Sequence, residues 1–221
     1  MKHILVYGDS LSWGIVPDTR QRLEFQQRWP GVLEKTLIAN GHTVRVIEDC
    51  LNGRRTVWDD PFKPGRNGLQ GVAQVMEMHA PLALAIVMLG CNDFQSTHQN
   101  NAWHSAQGLA AIVNAMRTAP IEPGMPVPRI MIIAPPLASE PRGDIASKFA
   151  GARDRALGLA EEYQKTARSL DCAFLNAADV IGASAIDGVH LDAKAHAVLG
   201  KAVSDVVAGV LVSAERAEAP K

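Results

Sequence analysis

Four short segments of the sequence carry the residue types that acyl transfer to a serine requires. Gly8-Asp9-Ser10-Leu11 offers a hydroxyl in a tight turn, and Asp187-Gly188-Val189-His190 sets a carboxylate three residues before an imidazole, near enough to fold back onto its Nδ1–H. Leu51-Asn52-Gly53-Arg54 supplies a glycine whose N–H no side chain obstructs, and Gly90-Cys91-Asn92-Asp93 supplies a carboxamide donor. A serine hydroxyl is a weak nucleophile until a base takes its proton. The base needs an orienting carboxylate, and the developing oxyanion needs donors aimed at it. Taken singly, each segment reads as an ordinary turn or cap. Their conjunction is what points to chemistry.

Such groups meet only if the fold delivers them to one place. Short apolar runs at Ile4–Tyr7, Thr43–Ile47, Leu82–Leu89, Arg129–Ala134 and Cys172–Leu175 alternate with segments of helical period, the pattern of parallel strands joined by crossover helices. Trp29, Val32, Leu33 and Leu37 stripe the first crossover helix, and Leu69, Val72, Ala73 and Met76 the second. The third spans about Ala102 to Met116. Phe149, Ala152, Ala156, Leu159, Tyr163 and Leu170 stripe one long fourth helix, and Asp192 caps a last one carrying Leu199, Val206 and Val210. The fold class is α/β, a three-layer flavodoxin-like sandwich around a five-stranded parallel sheet, with one domain over residues 1–213 and a solvated tail over 214–221. In such a sheet ligands bind outside the carboxyl ends of the strands, where the Ser10, Gly53 and Asn92 segments fall.

Composition narrows the function classes. With 22 Lys and Arg against 23 Asp and Glu, the chain has no basic excess to hold a phosphate backbone, so nucleic acid is not expected as a partner. Three cysteines without CxxC or Cys/His spacing argue against a disulfide framework and against a zinc site; no metal and no cofactor are expected. The N-terminal apolar run stops at Asp9 and Pro81–Gly90 falls short of the roughly 20 residues of a membrane helix, so the expectation is a cytoplasmic protein without a membrane partner.

The four segments together resemble the motif blocks of the SGNH hydrolases, also called the GDSL family: Gly-Asp-Ser-Leu at 8–11, Gly53, Gly-x-Asn-Asp at 90–93 and Asp-x-x-His at 187–190. The resemblance covers nearly the whole chain. It is closest to the bacterial arylesterase and acyltransferase branch, through Arg28 to Leu33, Gly53 to Thr56, Asp59 to Pro61 and the Met-Leu-Gly-x-Asn-Asp stretch. It implies Ser10 as nucleophile, His190 as base, Asp187 as its orienting residue, and the Ser10 N–H, Gly53 N–H and Asn92 side chain as oxyanion hole. It also implies a homo-oligomer, of the order of an octamer, and the loops Pro61–Gly68 and Pro135–Gly143 are long enough to contact a neighbour. Two departures stand out: Cys91 where relatives often carry Thr, and Ile15 where some acyltransferases carry an aromatic residue, which weakens the expected transferase character. An inert thiol is expected at Cys91, at the end of a buried strand.

The expected activity is a serine esterase acting on short-chain aryl or alkyl esters, with acyl transfer to alcohols; a carbohydrate acetylesterase is the alternative substrate reading. Leu11, Trp13 and Ile15 after the nucleophile, and Trp58 after Gly53, predict a narrow apolar pocket, with Trp13, Ile15 and Cys91 at the substrate. Arg54 and Arg55 are expected either at the substrate or paired with Asp59 or Asp60. A non-catalytic flavodoxin-like binding or signalling module is the reading from a different class. Its receiver form fails because Gly90-Cys91 stands where an aspartate should close the third strand, and its nucleotide-binding form because GxGxxG and GxxxxGK[ST] are both absent.

Overall fold

The computed structural model describes residues 1–218, with side chains through Ser213. Five strands, β1 (Lys2–Gly8), β2 (Val44–Cys50), β3 (Leu84–Met88), β4 (Arg129–Ala134) and β5 (Ala173–Asn176), pair in parallel in the order β2-β1-β3-β4-β5. β1 and β3 are almost sealed from solvent because helices cover both faces of the sheet, and this is why their sequences are continuously apolar rather than alternating. β2, at the edge, does alternate, with Val44 and Val46 buried and Arg45 exposed.

The helices are α1 (Ser10–Trp13), α2 (Trp29–Ala39), α3 (Val72–His79), α4 (Ala102–Arg117), α5 (Ala152–Arg155), α6 (Leu159–Ser169) and α7 (Ala193–Glu218). Right-handed crossovers carry the chain one way from β1 to β2 and the other way from β2 to β3, so α2 and α3 take opposite faces. α7 returns to pack on α2, while α3, α4 and α6 form the second row. The direction of winding reverses at β1, so the loops after β1, β2 and β3 open a crevice at the carboxyl edge.

Several element expectations need correction. The second helix starts at Val72 rather than Leu69, because Gly71 stands at φ +82° and Leu69 is exposed. The stripe from Phe149 to Leu170 is not one helix: Gly158, at φ +82°, separates α5 from α6, although Phe149, Ala152, Ala156, Leu159 and Tyr163 all remain buried. On α7 the buried face is Leu199, Val203, Val207 and Leu211, so Val206 and Val210 flank the core. α7 runs through part of the segment read as a tail; the side chains of 214–218 and residues 219–221 lie outside the described residues. Its stretch Ala193–Ser213 is long and apolar enough to cross a membrane by length and composition, which the sequence reading overlooked, but its buried face packs in the core.

Gly200 sets the distance between α2 and α7, since a Cβ there would lie 2.6 Å from Val32 Cβ and 2.8 Å from the Trp29 carbonyl oxygen. Just N-terminal to it, His196 Nδ1 accepts a hydrogen bond from the Trp29 N–H at 3.1 Å, satisfying a donor of the first turn of α2. Burial, reinforced by the nearby Arg28 charge, pushes the His196 pKa down to about 4. The unfolded chain then takes up more protons than the folded one between about pH 6.5 and 4, so this histidine's contribution to stability is lost as pH falls through that window. His196→Gln keeps an acceptor and removes the titration. Urea melts at pH 7.5 and 4.5 should show the wild type losing about 2 kcal/mol more than the variant on acidification. Equal losses would show that His196 does not titrate in this way.

Candidate active site

Ser10 is the first residue of α1, a single turn held by its neighbours. Asp9 caps it, accepting the Leu11 N–H at 2.9 Å, and Gly14 at φ +88° ends it. Gly8 permits the tight exit from β1, because a Cβ there would lie 2.4 Å from Ser12 Oγ. Neither the Ser10 hydroxyl nor its N–H has a hydrogen-bond partner among the described residues.

The second loop is pinned by the Leu51 N–H to the Gly8 carbonyl and by Arg66 Nε to the Asn52 carbonyl, both at 3.0 Å. It presents Gly53 at φ +84°, also with an unengaged N–H. An added Cβ would meet nothing closer than 4.0 Å, so backbone conformation rather than space calls for glycine here.

After β3, Gly90 leads into a 3-10 turn over Cys91–Phe94. Asp93 is buried within it and accepts from the Thr56 N–H (2.8 Å), the Thr56 hydroxyl (2.7 Å) and the Ser105 hydroxyl (2.6 Å), tying the second loop, the third loop and α4 together. Asn92 is held on every side. Its Oδ1 accepts from Gln95 Nε2 at 2.6 Å, and its Nδ2 donates to Asp9 Oδ2 at 2.9 Å and to the Arg54 carbonyl at 3.1 Å. Burial raises the Asp9 pKa to about 7 against the opposing effects of these donors and of His190.

The Asp187–His190 turn lies just before α7. Asp187 Oδ2 meets His190 Nδ1 at 2.7 Å, while Oδ1 accepts the Val189 and His190 N–H groups at 3.0 and 2.9 Å. Burial alone would raise the Asp187 pKa; the His190 hydrogen bond and the two backbone donors outweigh it and hold the carboxyl at about 2. Gly188 at φ +76° allows close contact with the loop after β4, since a Cβ would sit 2.2 Å from the Glu140 carbonyl oxygen.

Ser10, Gly53, Asn92 and His190 all line one cavity of about 60 Å³. The carboxylate, imidazole, hydroxyl and prospective donors picked out in the sequence are thus brought together from four loops. Ser10 and His190 are not hydrogen-bonded to each other; such contacts often close only with substrate present. Of the residues expected to wall the pocket, Ile15 does line it. Trp13 does not: the Arg22 guanidinium covers its ring at 4.6 Å. Cys91 faces a separate apolar recess with Phe94, Pro135 and Leu159, where burial pushes its thiol well above the ordinary range. Trp58 packs instead against His98 and His104.

Arg54 and Arg55 turn inward. Arg54 donates to Asp49 and the Gly8 carbonyl beside the Tyr7 ring, and the wholly buried Arg55 reaches Asp60, Gln95 and Thr97. Sequence reasoning missed the cavity's other lining residues, Arg20, Asn52, Lys63, Ile145, Lys148 and Phe149. Their loops have no periodicity to follow, and the wall they make is polar as well as apolar.

Comparison with known proteins shows the family. Residues 6–198 match the model of the GDSL-like lipase/acylhydrolase family. Comparison with curated protein sequences finds no match. Among solved structures, a carbohydrate acetylesterase family member from Sinorhizobium meliloti superposes with a TM-score of 0.89 at 36% identity, covering 96% of this chain and 99% of that one. Est24, a carbohydrate acetylesterase from the same organism, gives 0.88 at 32%, covering 95% and 100%. The inhibitor-bound aryl esterase of M. smegmatis gives 0.89 at 31%, again covering 95% and 100%. With the family model spanning most of the sequence and these esterases matching it end to end, the chain belongs to the GDSL-like lipase/acylhydrolase family and is a carboxylic ester hydrolase.

Proposed function

We propose that the protein cleaves short-chain acyl esters through an acyl-enzyme on Ser10. The observation that carries this reading is the convergence of Ser10, His190, Gly53 and Asn92 on one small cavity, with Asp187 hydrogen-bonded behind the imidazole. In this mechanism His190 Nε2 takes the hydroxyl proton as Oγ attacks the ester carbonyl. Asp187, ionised far below neutrality, fixes the tautomer and stabilises the imidazolium. The unengaged N–H groups of Ser10 and Gly53 meet the oxyanion, and Asn92 joins them by sharing an amide hydrogen now given to Asp9 or the Arg54 carbonyl. His190 returns the proton to the leaving alcohol, then activates water, or a second alcohol, against the acyl-enzyme.

A cavity of about 60 Å³ bounded by Ile15, Ile145 and Phe149 is far below the roughly 300 Å³ at which ligand pockets usually begin, which favours acetyl and propionyl groups. Acyl transfer to alcohols is part of the proposal, less marked with Ile15 than with an aromatic residue there. A second reading, deacetylation of carbohydrates, is favoured by Asn52, a polar residue that lines the same cavity and whose carboxamide oxygen has no hydrogen-bond partner among the described residues. We also propose self-association as a homo-oligomer, of the order of an octamer, supported by Phe62, which is 83% exposed in the Pro61–Gly68 loop. A cytoplasmic location is supported by three free cysteines.

A panel of p-nitrophenyl esters and sugar acetates, with benzyl alcohol as acceptor, tests the substrate reading. The expected result is fastest turnover of C2 to C4 acyl groups with detectable benzyl ester. Octanoyl esters outpacing acetyl esters would overturn the short-acyl assignment, and hydrolysis without benzyl ester would overturn transfer alone.

A further inference from the structure

The cavity has a buried floor and a charged mouth. Ser10, Ile15, Asn92 and Phe149 are buried, whereas Arg20, Lys63 and Lys148 line the same space and are exposed. None of these three cations makes an ion pair among the described residues. The neighbouring acid, Asp60, is already engaged by Arg55 Nη2 at 3.3 Å and by the Phe62 N–H at 2.9 Å. The cations also burden one another: burial and the charges of Arg66 and Arg20 lower the Lys63 pKa, and burial followed by Arg55, Lys63 and Arg20 lowers that of Lys148 against help from Asp60.

Three separate loops are braced to hold this arrangement. Asp60, fixed by buried Arg55, anchors the turn bearing Lys63; the Lys148 carbonyl accepts the Ser96 N–H at 2.8 Å; and the hairpin bearing Arg20 is tied to the site through the Asp18 N–H and Asp187 Oδ2 at 3.3 Å. Beyond His190 an adjoining cavity carries both signs, Asp18, Asp144 and Asp187 with Arg20 and Arg142, so the excess of positive charge is local to the Lys63 and Lys148 side.

Resting on the esterase reading, we propose that Arg20, Lys63 and Lys148 select esters whose alcohol portion carries an anionic group. A short acyl group fills the small floor, and the leaving alcohol must therefore extend through the mouth, where unpaired cations lower the free energy of an anion during approach and in the transition state. The class so defined is acylated hydroxy-acids, acidic sugars among them.

The experiment compares 4-acetoxybenzoate with methyl 4-acetoxybenzoate by kcat/KM, each divided by its own rate of hydroxide hydrolysis to remove leaving-group reactivity. At 20 mM ionic strength the carboxylate should be preferred at least tenfold, and the preference should collapse toward parity at 0.5 M salt. The double variant Lys63→Gln/Lys148→Gln should lower the preference at least fivefold, while Arg129→Gln, at the opposite end of the strands, should not. Parity or preference for the methyl ester at low salt would overturn the proposal and leave the esterase reading intact, as would an unchanged preference in the double variant. Wild-type protein cleaving neither ester would overturn both.

Discussion

Ser10→Ala is expected to lower kcat on p-nitrophenyl acetate by about 10⁶ while leaving the thermal midpoint nearly unchanged. The two halves of this expectation have separate causes. On the proposed mechanism the hydroxyl is the attacking group, so its loss removes the covalent route altogether. Yet Ser10 Oγ makes no hydrogen bond among the described residues, and the turn around it is held by Asp9, Leu11 and Gly14, which the substitution leaves alone. Cys91 is no substitute nucleophile, since burial keeps it a thiol in a recess of its own. A fluorophosphonate should accordingly add once to the wild type, at Ser10, and not to the variant. Labelling at Cys91, or residual turnover above a hundredth of wild type, would remove Ser10 from the role.

The second large effect is expected at Asp187→Asn, a fall in kcat of about 10⁴. Both carboxylate oxygens face donors, Oδ1 the N–H groups of Val189 and His190, Oδ2 the imidazole Nδ1 and the Asp18 N–H. A carboxamide has one acceptor oxygen and one amino group. If the oxygen stays with the turn, the amino group faces Nδ1 and forces the proton onto Nε2, where it blocks base action. If the oxygen faces Nδ1, the amino group opposes two backbone donors and the turn opens. The sign with pH follows from the low Asp187 pKa: its stabilisation of the fold is present above the unfolded value near 4 and is lost as pH falls toward 2. A kcat within tenfold of wild type at pH 7.5 would show that the imidazole is oriented by something else.

Most of the sheet was legible because each strand is a bounded apolar run, and sealed strands leave no other reading for Ile4–Tyr7 or Leu84–Met88. The break between α5 and α6 was hidden because burial continues across it, from Ala156 to Leu159, while only the backbone at Gly158 departs from helix. The turn residues of the candidate site could be read because their pattern is local, a carboxylate three positions from a histidine or a serine just after a strand. The pairing of Arg55 with Asp60 was one of the readings the sequence offered, but its complete burial was not legible: a charged pair looks like surface until the loops fold around it. Arg20, Lys63 and Lys148 belong to three loops whose paths depend on tertiary hydrogen bonds, so nothing in their sequence spacing brings them to one mouth.

The packing of α7 on α2 also bears on how the candidate site is assembled. Ser10 sits in the turn that directly follows β1, whereas the turn bearing His190 lies far downstream and leads straight into the helix that Gly200 and His196 seat against Trp29. On the proposed mechanism, a chain in which α7 has come away from α2 keeps the serine in its turn and loses the seat of the base. Activity is therefore expected to depend on the docking of α7 as well as on the sheet that carries the serine.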